Sequence, residues 1–263
     1  MPKSILQVAS ALVACTNAAT IGQNDSIRPP DAEDQPDFSI VYPDGLEDLI
    51  DLEPWRYPES FAWGRWCSAT MISPRVALTA AHCVFDGMDG VNPRRSNGSK
   101  IDVTLTNSDP NGPDFTTYIQ EIRSNECWYE NKFFVVWGGD LAMLILEDEK
   151  PGAVRGVDYI DIWDNDVDGD ITGRTFALMG WGYSGPVSNP RQGIWDFHRG
   201  YNVVRRVYEN RIQYGFEDPA QTGLPLESVA NNGDSGGAAT IELTDGSRKL
   251  IGVCSNGYGP YYR

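Results

Sequence analysis

Residues 67–83, which read CSATMISPRVALTAAHC, indicate the fold class of the chain. Two apolar runs, 68–73 and 75–79, are each too short for a typical helix and are separated by Pro74. Short apolar runs bounded by turn residues are typical of β-strands. The second run leads directly into His82, and the chain contains only 2 histidines.

The chain after residue 60 continues this pattern of short apolar runs broken by Gly, Pro, Asn and Asp. Further runs lie at 101–106, 133–137, 141–146, 174–181, 236–242 and 249–254. Almost no helical periodicity accompanies them, so the sequence predicts an all-β fold, either a barrel or a sandwich.

The composition is that of a folded globular protein, since 41% of the 263 residues are hydrophobic and 22% are charged. The chain carries 21 Lys and Arg against 37 Asp and Glu, a formal net charge of −16. This acidity argues against nucleic acid or an anionic membrane as a partner, because both attract basic surfaces. No apolar run reaches the roughly 18 residues of a membrane-spanning helix, so we expect no transmembrane segment.

The first residues, 1–19, have the layout of a secretory signal peptide, with Lys3 before an apolar run and small residues after it. A buried terminal helix and a lipoprotein signal that acylates Cys15 are the alternatives. Residues 20–59 are acidic and are predicted to be a leader or pro-segment, with a linker as the alternative. We therefore expect a secreted protein, lipid-anchored if Cys15 is acylated.

Three segments carry chemically useful side chains, in the order His82, Asp140 and Ser235. Each has an ordinary interpretation alone: a structural histidine, a turn or cap carboxylate, and a glycine-rich hairpin turn. Together they supply what amide hydrolysis needs, namely a hydroxyl nucleophile, a general base and a carboxylate that orients the base. Glycines around Ser235 would let backbone N–H groups approach a developing oxyanion.

The chain from about residue 60 to the end resembles the trypsin/chymotrypsin-like serine proteases. The segments that carry the resemblance are 67–83, 139–142, 180–182, 233–237 and 251–257. The resemblance implies two packed six-stranded antiparallel β-barrels in residues 60–263, with a boundary near 150–160. We expect the C-terminal helix of the family to be missing, in which case either another device closes the second barrel or the sequence is incomplete.

The resemblance also implies the roles of individual residues. Ser235 would be the nucleophile, His82 the general acid and base, and Asp140 the carboxylate that orients His82. The N–H groups of Gly233 and Ser235 would form the oxyanion hole. Ser255 would support Asp140.

Substrate-binding residues follow from the same resemblance. Ser255, Asn256 and Gly257 would pair with the backbone of an extended peptide. Val229, beside Ala230, would form the floor of the main specificity pocket. An apolar floor favours burial of an apolar side chain, so we expect cleavage after apolar residues and not after Arg or Lys.

Members of this family are activated when a freed amino terminus pairs with the acid just before the nucleophile. That acid would be Asp234, and Ile40 lies at about the right distance to supply the terminus of a zymogen. Tyr42 and Pro43 stand where the family has two glycines, so a plain leader strand is the alternative.

The remaining cysteines bear on the cellular compartment. Cys67 and Cys83 match the half-cystines of the family and should form a disulfide in an oxidising compartment. Cys127 and Cys254 match no family disulfide and are predicted to be thiols. Zinc is not expected, because the chain has no Cys-x-x-Cys pattern and few histidines.

Calcium is the remaining cofactor candidate. Asp164, Asp166, Asp168 and Asp170 alternate as in the first half of an EF-hand loop. Thr175 stands where that loop has its bidentate Glu, so a solvated acidic turn is the alternative. The predicted chemistry itself requires no cofactor.

The sequence therefore predicts a secreted, monomeric serine endopeptidase that acts on protein or peptide substrates. A catalytically inactive protease-like binding protein is the first alternative, although all three residues of the triad are present. A β-sandwich adhesion domain is the second, and it would leave the three motifs to coincidence.

Overall fold

The computed structural model describes residues 13–18, 40–42, 54–64, 67–84, 97–124, 140–186, 197–208, 211–215, 224 and 227–258. In this part of the chain β-strands dominate. Its helices are a single α-helical turn, α1 (Asn165–Asp168), and 3-10 turns at Pro54–Arg56 and Ala81–Val84. The predicted all-β class is confirmed. No helix in the described ranges is both long and apolar enough to cross a membrane.

The first sheet is a nearly closed antiparallel barrel. Its strands are β3 (Ser60–Trp63), β4 (Cys67–Ser73), β5 (Val76–Thr79), β6 (Asp102–Leu105), β7 (Phe115–Ser124) and β8 (Ala142–Leu146). They are ordered β3-β4-β5-β8-β7-β6, and every pairing is antiparallel. The two end strands, β3 and β6, lie beside each other. The first predicted six-stranded barrel is therefore confirmed.

Burial along these strands follows their position. In β6, Val103 and Leu105 point into the barrel while Thr104 is exposed. This alternation is the period-two pattern of a strand with one solvent-exposed face. In β4, the four residues 68–71 are all buried. Both faces of β4 are covered, because one lines the first barrel and the other meets the second sheet.

The second sheet is larger than the sequence predicts. Its strands are β1 (Val13–Ala18), β9 (Asp161–Ile162), β10 (Thr175–Gly180), β12 (His198–Val203), β13 (Arg206–Tyr208), β14 (Arg211–Tyr214), β15 (Ala238–Glu242) and β16 (Arg248–Tyr258). The order is β12-β10-β15-β16-β1-β14-β13, with β9 also paired to β16. Six antiparallel strands were expected, but there are eight, and β1 and β9 run parallel to their neighbours. The long strand β16 offers edge hydrogen-bonding groups, and β1 and β9 both pair there.

The two end strands of this sheet, β12 and β13, are consecutive in the chain. Strand β12 continues through Val204 and Arg205 into β13, and Arg205 N donates to Gln213 O at 2.8 Å. A separate pair is formed by β2 (Ile40–Tyr42) and β11 (Ser184–Pro186), which run parallel with Ile40 opposite Ser184. Strand β1 falls inside the predicted signal peptide and β2 inside the predicted leader. Both of those assignments stay predictions.

The two sheets are packed together through an apolar cluster and a buried ion pair. Leu78 of β5 and Met143 of β8 pack with Leu250 and other residues of the second sheet. Arg248 of β16 lies 2.8 Å from the carboxylate of Glu59, which is fully buried. Burial raises the pKa of Glu59 to about 7, although the charge of Arg248 acts in the opposite direction.

The segment between β8 and β9 is fixed by a second buried ion pair. Lys150 Nζ lies 2.6 Å from Asp158 Oδ1 and also donates to Thr106 O at 2.7 Å. The other oxygen of Asp158 accepts a hydrogen bond from Val154 N at 2.8 Å. This pair holds the connection in a compact turn although Val154 itself is exposed.

The predicted disulfide between Cys67 and Cys83 is confirmed, with a Cα–Cα distance of 6.1 Å. It ties the start of β4 to the 3-10 turn that carries His82. Of the two cysteines predicted to be thiols, Cys254 is buried in the second sheet and Cys127 lies outside the described residues.

Replacing both Cys67 and Cys83 with alanine should lower the free energy of unfolding by about 3 kcal/mol, because the bond closes a loop of about 15 residues. Urea unfolding with and without reductant measures this cost. Reductant should destabilise the wild-type protein and leave the double variant unchanged. An equal effect on both proteins would show that the stabilisation has another source.

Candidate active site

His82 and Asp140 are in direct contact although they are far apart in the sequence. His82 follows β5, and Asp140 lies just before β8. These strands are neighbours, with Thr79 opposite Ala142, so the end of one meets the start of the other. His82 Nδ1 lies 2.7 Å from Asp140 Oδ2, and His82 N donates to Asp140 Oδ1 at 2.8 Å.

Asp140 is buried and remains ionised. Ser255 Oγ donates a hydrogen bond to Asp140 Oδ2 at 2.5 Å. Burial alone would raise the pKa of Asp140, but the hydrogen bonds from His82 and Ser255 and the attraction of His82 outweigh it, so this pKa lies below its usual value. A carboxylate can only accept, so His82 Nδ1 must donate and His82 Nε2 is left to accept a proton.

The turn that carries Ser235 lies against the segment that carries His82. Ser68 N donates to Ser235 O at 2.8 Å. A Cβ on Gly236 would lie 2.3 Å from Ser68 O and 2.8 Å from Ala80 N, so only glycine permits this approach. Within the described residues no hydrogen bond joins the Ser235 hydroxyl to the His82 imidazole. Such catalytic bonds are often long in a free enzyme and tighten when substrate binds.

Two backbone N–H groups on this turn have no acceptor among the described residues. Across 231–237, the other N–H groups donate to acceptors of the protein. Those of Gly233 and Ser235 donate to none in the part of the chain that the structure describes. Gly233 has a φ of 95°, a backbone conformation that favours glycine. The arrangement offers two neighbouring donors to a ligand oxygen.

Asp234, between these two residues, is fully buried. Its carboxylate accepts hydrogen bonds from Asn231 N at 2.8 Å and from Gly182 N at 3.0 Å. Burial nevertheless raises the pKa of Asp234 to about 7. Ile40 is paired with Ser184, which is two residues, or about 7 Å of strand, beyond Gly182.

The predicted substrate-binding residues have different surroundings. Val229 is 2% exposed and packs in the core of the second sheet, and Ala230 is half-buried beside it. Ser255 is buried and donates its hydroxyl to the carboxylate described above. Asn256 and Gly257 lie in β16, where their backbones pair with β1. The structure therefore does not open Val229 to solvent, and its role as a pocket floor stays a prediction.

Three of the four aspartates of the predicted calcium loop have a partner for their carboxylate among the described residues. Asp164 caps α1 and accepts from Asp166 N at 3.1 Å. Asp168 forms an ion pair with Lys249, and Asp170 accepts from the turn that follows it. None of these contacts tests calcium binding, which stays a prediction.

Sequence reasoning missed a chain of hydrogen bonds behind the site. Trp63 Nε1 donates to Thr79 Oγ1 at 2.9 Å, and Thr79 Oγ1 donates to Ser68 O at 2.8 Å. Ser68 Oγ in turn donates to Gly233 O at 2.8 Å. The available signal was the presence of hydroxyl residues in otherwise apolar strands, because a buried hydroxyl needs a partner.

Gly236→Ala tests the close approach of the Ser235 turn to the first barrel. Gly246 is a matched control, since its φ is +81° against +80° for Gly236 but nothing lies within 4 Å of a Cβ there. In both variants the left-handed backbone conformation should lower the free energy of unfolding by about 1–2 kcal/mol. Gly236→Ala should lose a further 1–3 kcal/mol or more, roughly the cost of overpacking. Equal losses in urea unfolding would contradict the contact.

Asp234 also predicts a pH dependence of stability in the uncleaved chain. Its pKa rises from 3.8 to about 7 on folding, so the folded chain binds more protons than the unfolded chain between these values. Neutral Asp234 therefore makes its full contribution to stability below pH ~4. As the pH rises from there through 7, the free energy of unfolding falls by about 4 kcal/mol in total. Asp234→Asn stays neutral and should not show this loss. The unfolding free energies of both proteins from pH 4 to 8 measure it, and parallel curves would contradict it.

Comparison with known proteins agrees with this architecture. The family model described as Trypsin matches residues 50–261. A 44-residue segment is 43% identical to the CLIP domain-containing serine protease HP8 of Bombyx mori, covering 15% of this chain and 12% of that protein. The chain thus matches only a small part of that relative's length, and this likeness is local. The family match spans most of the sequence and agrees with the barrel and its disulfide, and the chain therefore belongs to the trypsin family of serine proteases.

Proposed function

We propose that the chain is a secreted serine endopeptidase that forms an acyl-enzyme on Ser235. The observation that carries the proposal is that, among the described residues, the N–H groups of Gly233 and Ser235 have no acceptor, on a turn that lies against the His82 segment. An acyl-transfer transition state needs donors of this kind that converge on its oxyanion, and we assign that role to these two groups. A structural turn has no need to leave both of them unsatisfied.

In the proposed reaction His82 Nε2 takes the proton of Ser235 Oγ as that oxygen attacks the peptide carbonyl carbon. The carbonyl oxygen becomes an oxyanion and accepts from the two N–H groups. His82 then returns the proton to the amide nitrogen, the C–N bond breaks, and the amine product leaves. Water, deprotonated by His82, then attacks the acyl carbon. His82 returns this proton to Ser235 Oγ as the C–O bond to Ser235 breaks, which releases the acid and restores the serine. Asp140 stabilises the imidazolium at both stages.

Cleavage after apolar residues is the specificity that we propose. Val229 and Ala230 offer no carboxylate to a substrate Arg or Lys, and a desolvated cation without a partner is costly. Chromogenic peptides that differ only in the residue before the scissile bond test this. Equal or faster turnover of Arg-ending peptides, compared with Phe, Leu and Ala, would reject it.

Activation by cleavage between Ser39 and Ile40 is the second part of the proposal. A buried carboxylate with a raised pKa, such as Asp234, gains most from a nearby positive charge. The pairing of Ile40 with Ser184 brings the backbone of β2 close to Gly182, which is bonded to Asp234. Amino-terminal sequencing of the active enzyme should start at Ile40. A fully active enzyme that retains residues before Ile40 would reject this step.

A catalytically inactive binding protein is the alternative, and labelling with a fluorophosphonate separates the two. The enzyme should form an adduct on Ser235 that is absent in Ser235→Ala. His82→Ala should lower kcat/KM by about 10⁴-fold or more, and Asp140→Asn by about 10⁴-fold through the wrong tautomer. Ser247→Ala, an exposed hydroxyl on a distant turn, should label normally. A processed and folded protein that gives no adduct would support the binding protein instead.

A further inference from the structure

We propose that Ser68 is a positioning residue that holds the oxyanion-stabilising turn in its working conformation. Ser68 lies in β4 of the first barrel, whereas the turn belongs to the second sheet. The inference rests on the proposed function, because it assigns to Ser68 the alignment of the donors that the reaction would use.

Ser68 binds the carbonyls of the same two residues whose N–H groups are unused. Its hydroxyl donates to Gly233 O at 2.8 Å, and its backbone N donates to Ser235 O at 2.8 Å. A glycine rotates easily about its two backbone bonds, so the direction of an N–H group beside it is not fixed by local geometry. Bonds to both carbonyls restrict these rotations at the two positions that matter.

The Ser68 hydroxyl also holds the segment that supports the turn from the other side. It accepts a hydrogen bond from Trp181 N at 2.9 Å. One residue later, Gly182 N donates to the carboxylate of Asp234. Tyr183 N donates to Asn232 O at 3.0 Å. Asn232 C=O and the next N–H belong to one peptide plane and point in opposite directions, so this bond sets the direction of the first unused donor.

Because Ser68 is buried, the loss of these hydrogen bonds would destabilise the folded protein. Ser68 is 0% exposed, and its hydroxyl serves at once as a donor and as an acceptor. Removing the hydroxyl would leave a carbonyl and an N–H group buried without partners, and each of them would favour a rearrangement that finds one. The peptide plane between Gly233 and Asp234, which contains the Gly233 carbonyl, is the part that this loss frees most directly. Rotation about the backbone bonds of Gly233 can then change the direction of its own N–H group.

Ser68→Ala is the test, and Ser60→Ala is its matched control. Ser60 is also 0% exposed and also bonds to Trp181, since its hydroxyl accepts from Trp181 Nε1 at 3.3 Å. It makes no described contact with the turn. Both variants therefore lose one buried hydroxyl between the two sheets, but only Ser68→Ala loses the bond to Gly233.

Kinetic constants are measured on sites counted by fluorophosphonate titration. Ser68→Ala should lower kcat by about 10- to 100-fold with little change in KM, because the lost interaction acts on the transition state. Affinity for a peptidyl trifluoromethyl ketone, whose adduct carries an oxyanion, should fall by a similar factor. Affinity for the matching alcohol, which forms no adduct, should not change. Ser60→Ala should keep wild-type kcat and both affinities.

A second measurement does not depend on activity. Hydrogen exchange, followed by mass spectrometry of peptides covering 231–237, should accelerate in Ser68→Ala and not in Ser60→Ala. If Ser68→Ala does not fold, Ser68→Cys is measured in the same way, because it is close in size to serine and its thiol is only a weak donor.

The outcomes separate the two proposals. Equal kcat per titrated site in wild type and Ser68→Ala would overturn the positioning role, and so would unchanged exchange. A wild-type protein that neither labels nor cleaves would overturn the proposed function and the catalytic use of the turn. The exchange result would then still decide whether Ser68 holds this turn in place.

Discussion

The structure depends on how closely two sheets can approach each other beside Ser235. His82 and Asp140 belong to the first barrel and Ser235 to the second sheet. The relative position of the three side chains is therefore set by the contact between the sheets. Gly236 brings backbone against backbone where any Cβ would collide, and Ser68 fastens the same turn with hydrogen bonds. Close packing and buried polar bonds therefore act together, because a packed interface alone would not fix the direction of an N–H group.

The pKa values of two buried aspartates in this site are shifted in opposite directions. Asp140 receives hydrogen bonds from His82 and Ser255, and its pKa falls below the usual value despite burial. Asp234 receives only backbone N–H groups, and burial keeps its pKa near 7. The lowered pKa of Asp140 favours its charged form, which the proposed orienting role needs. The charge of Asp234 depends on its neighbours, and such a group suits the activation step that we propose at Ile40.

The sequence predicted the all-β class from strand length and turn residues. Its motifs carried the resemblance to the family, and that resemblance implied the first barrel and supported the disulfide. The sequence did not predict the eight strands of the second sheet, since β1 and β9 add to β16 through backbone hydrogen bonds that carry no side-chain pattern. The role of Ser68 was likewise not predicted, because a hydroxyl residue in an apolar strand indicates that a partner is needed but not which one. Its partners are the backbones of Trp181 and Gly233, and only the tertiary structure shows where those lie.

The buried pair of Lys150 and Asp158 has a consequence for the proposed protease activity, because one copy of the chain would then be a substrate for another. A protease grips an extended backbone by pairing with it as an added strand, so a segment becomes vulnerable when it can straighten. Val154 and Val157, in the connection between the sheets, are exposed and apolar, the kind of residue after which we propose cleavage. Asp158 closes this connection into a turn that cannot straighten until the ion pair breaks. If the proposed activity holds, resistance of this connection to autolysis would come from backbone shape and not from an unfavourable sequence.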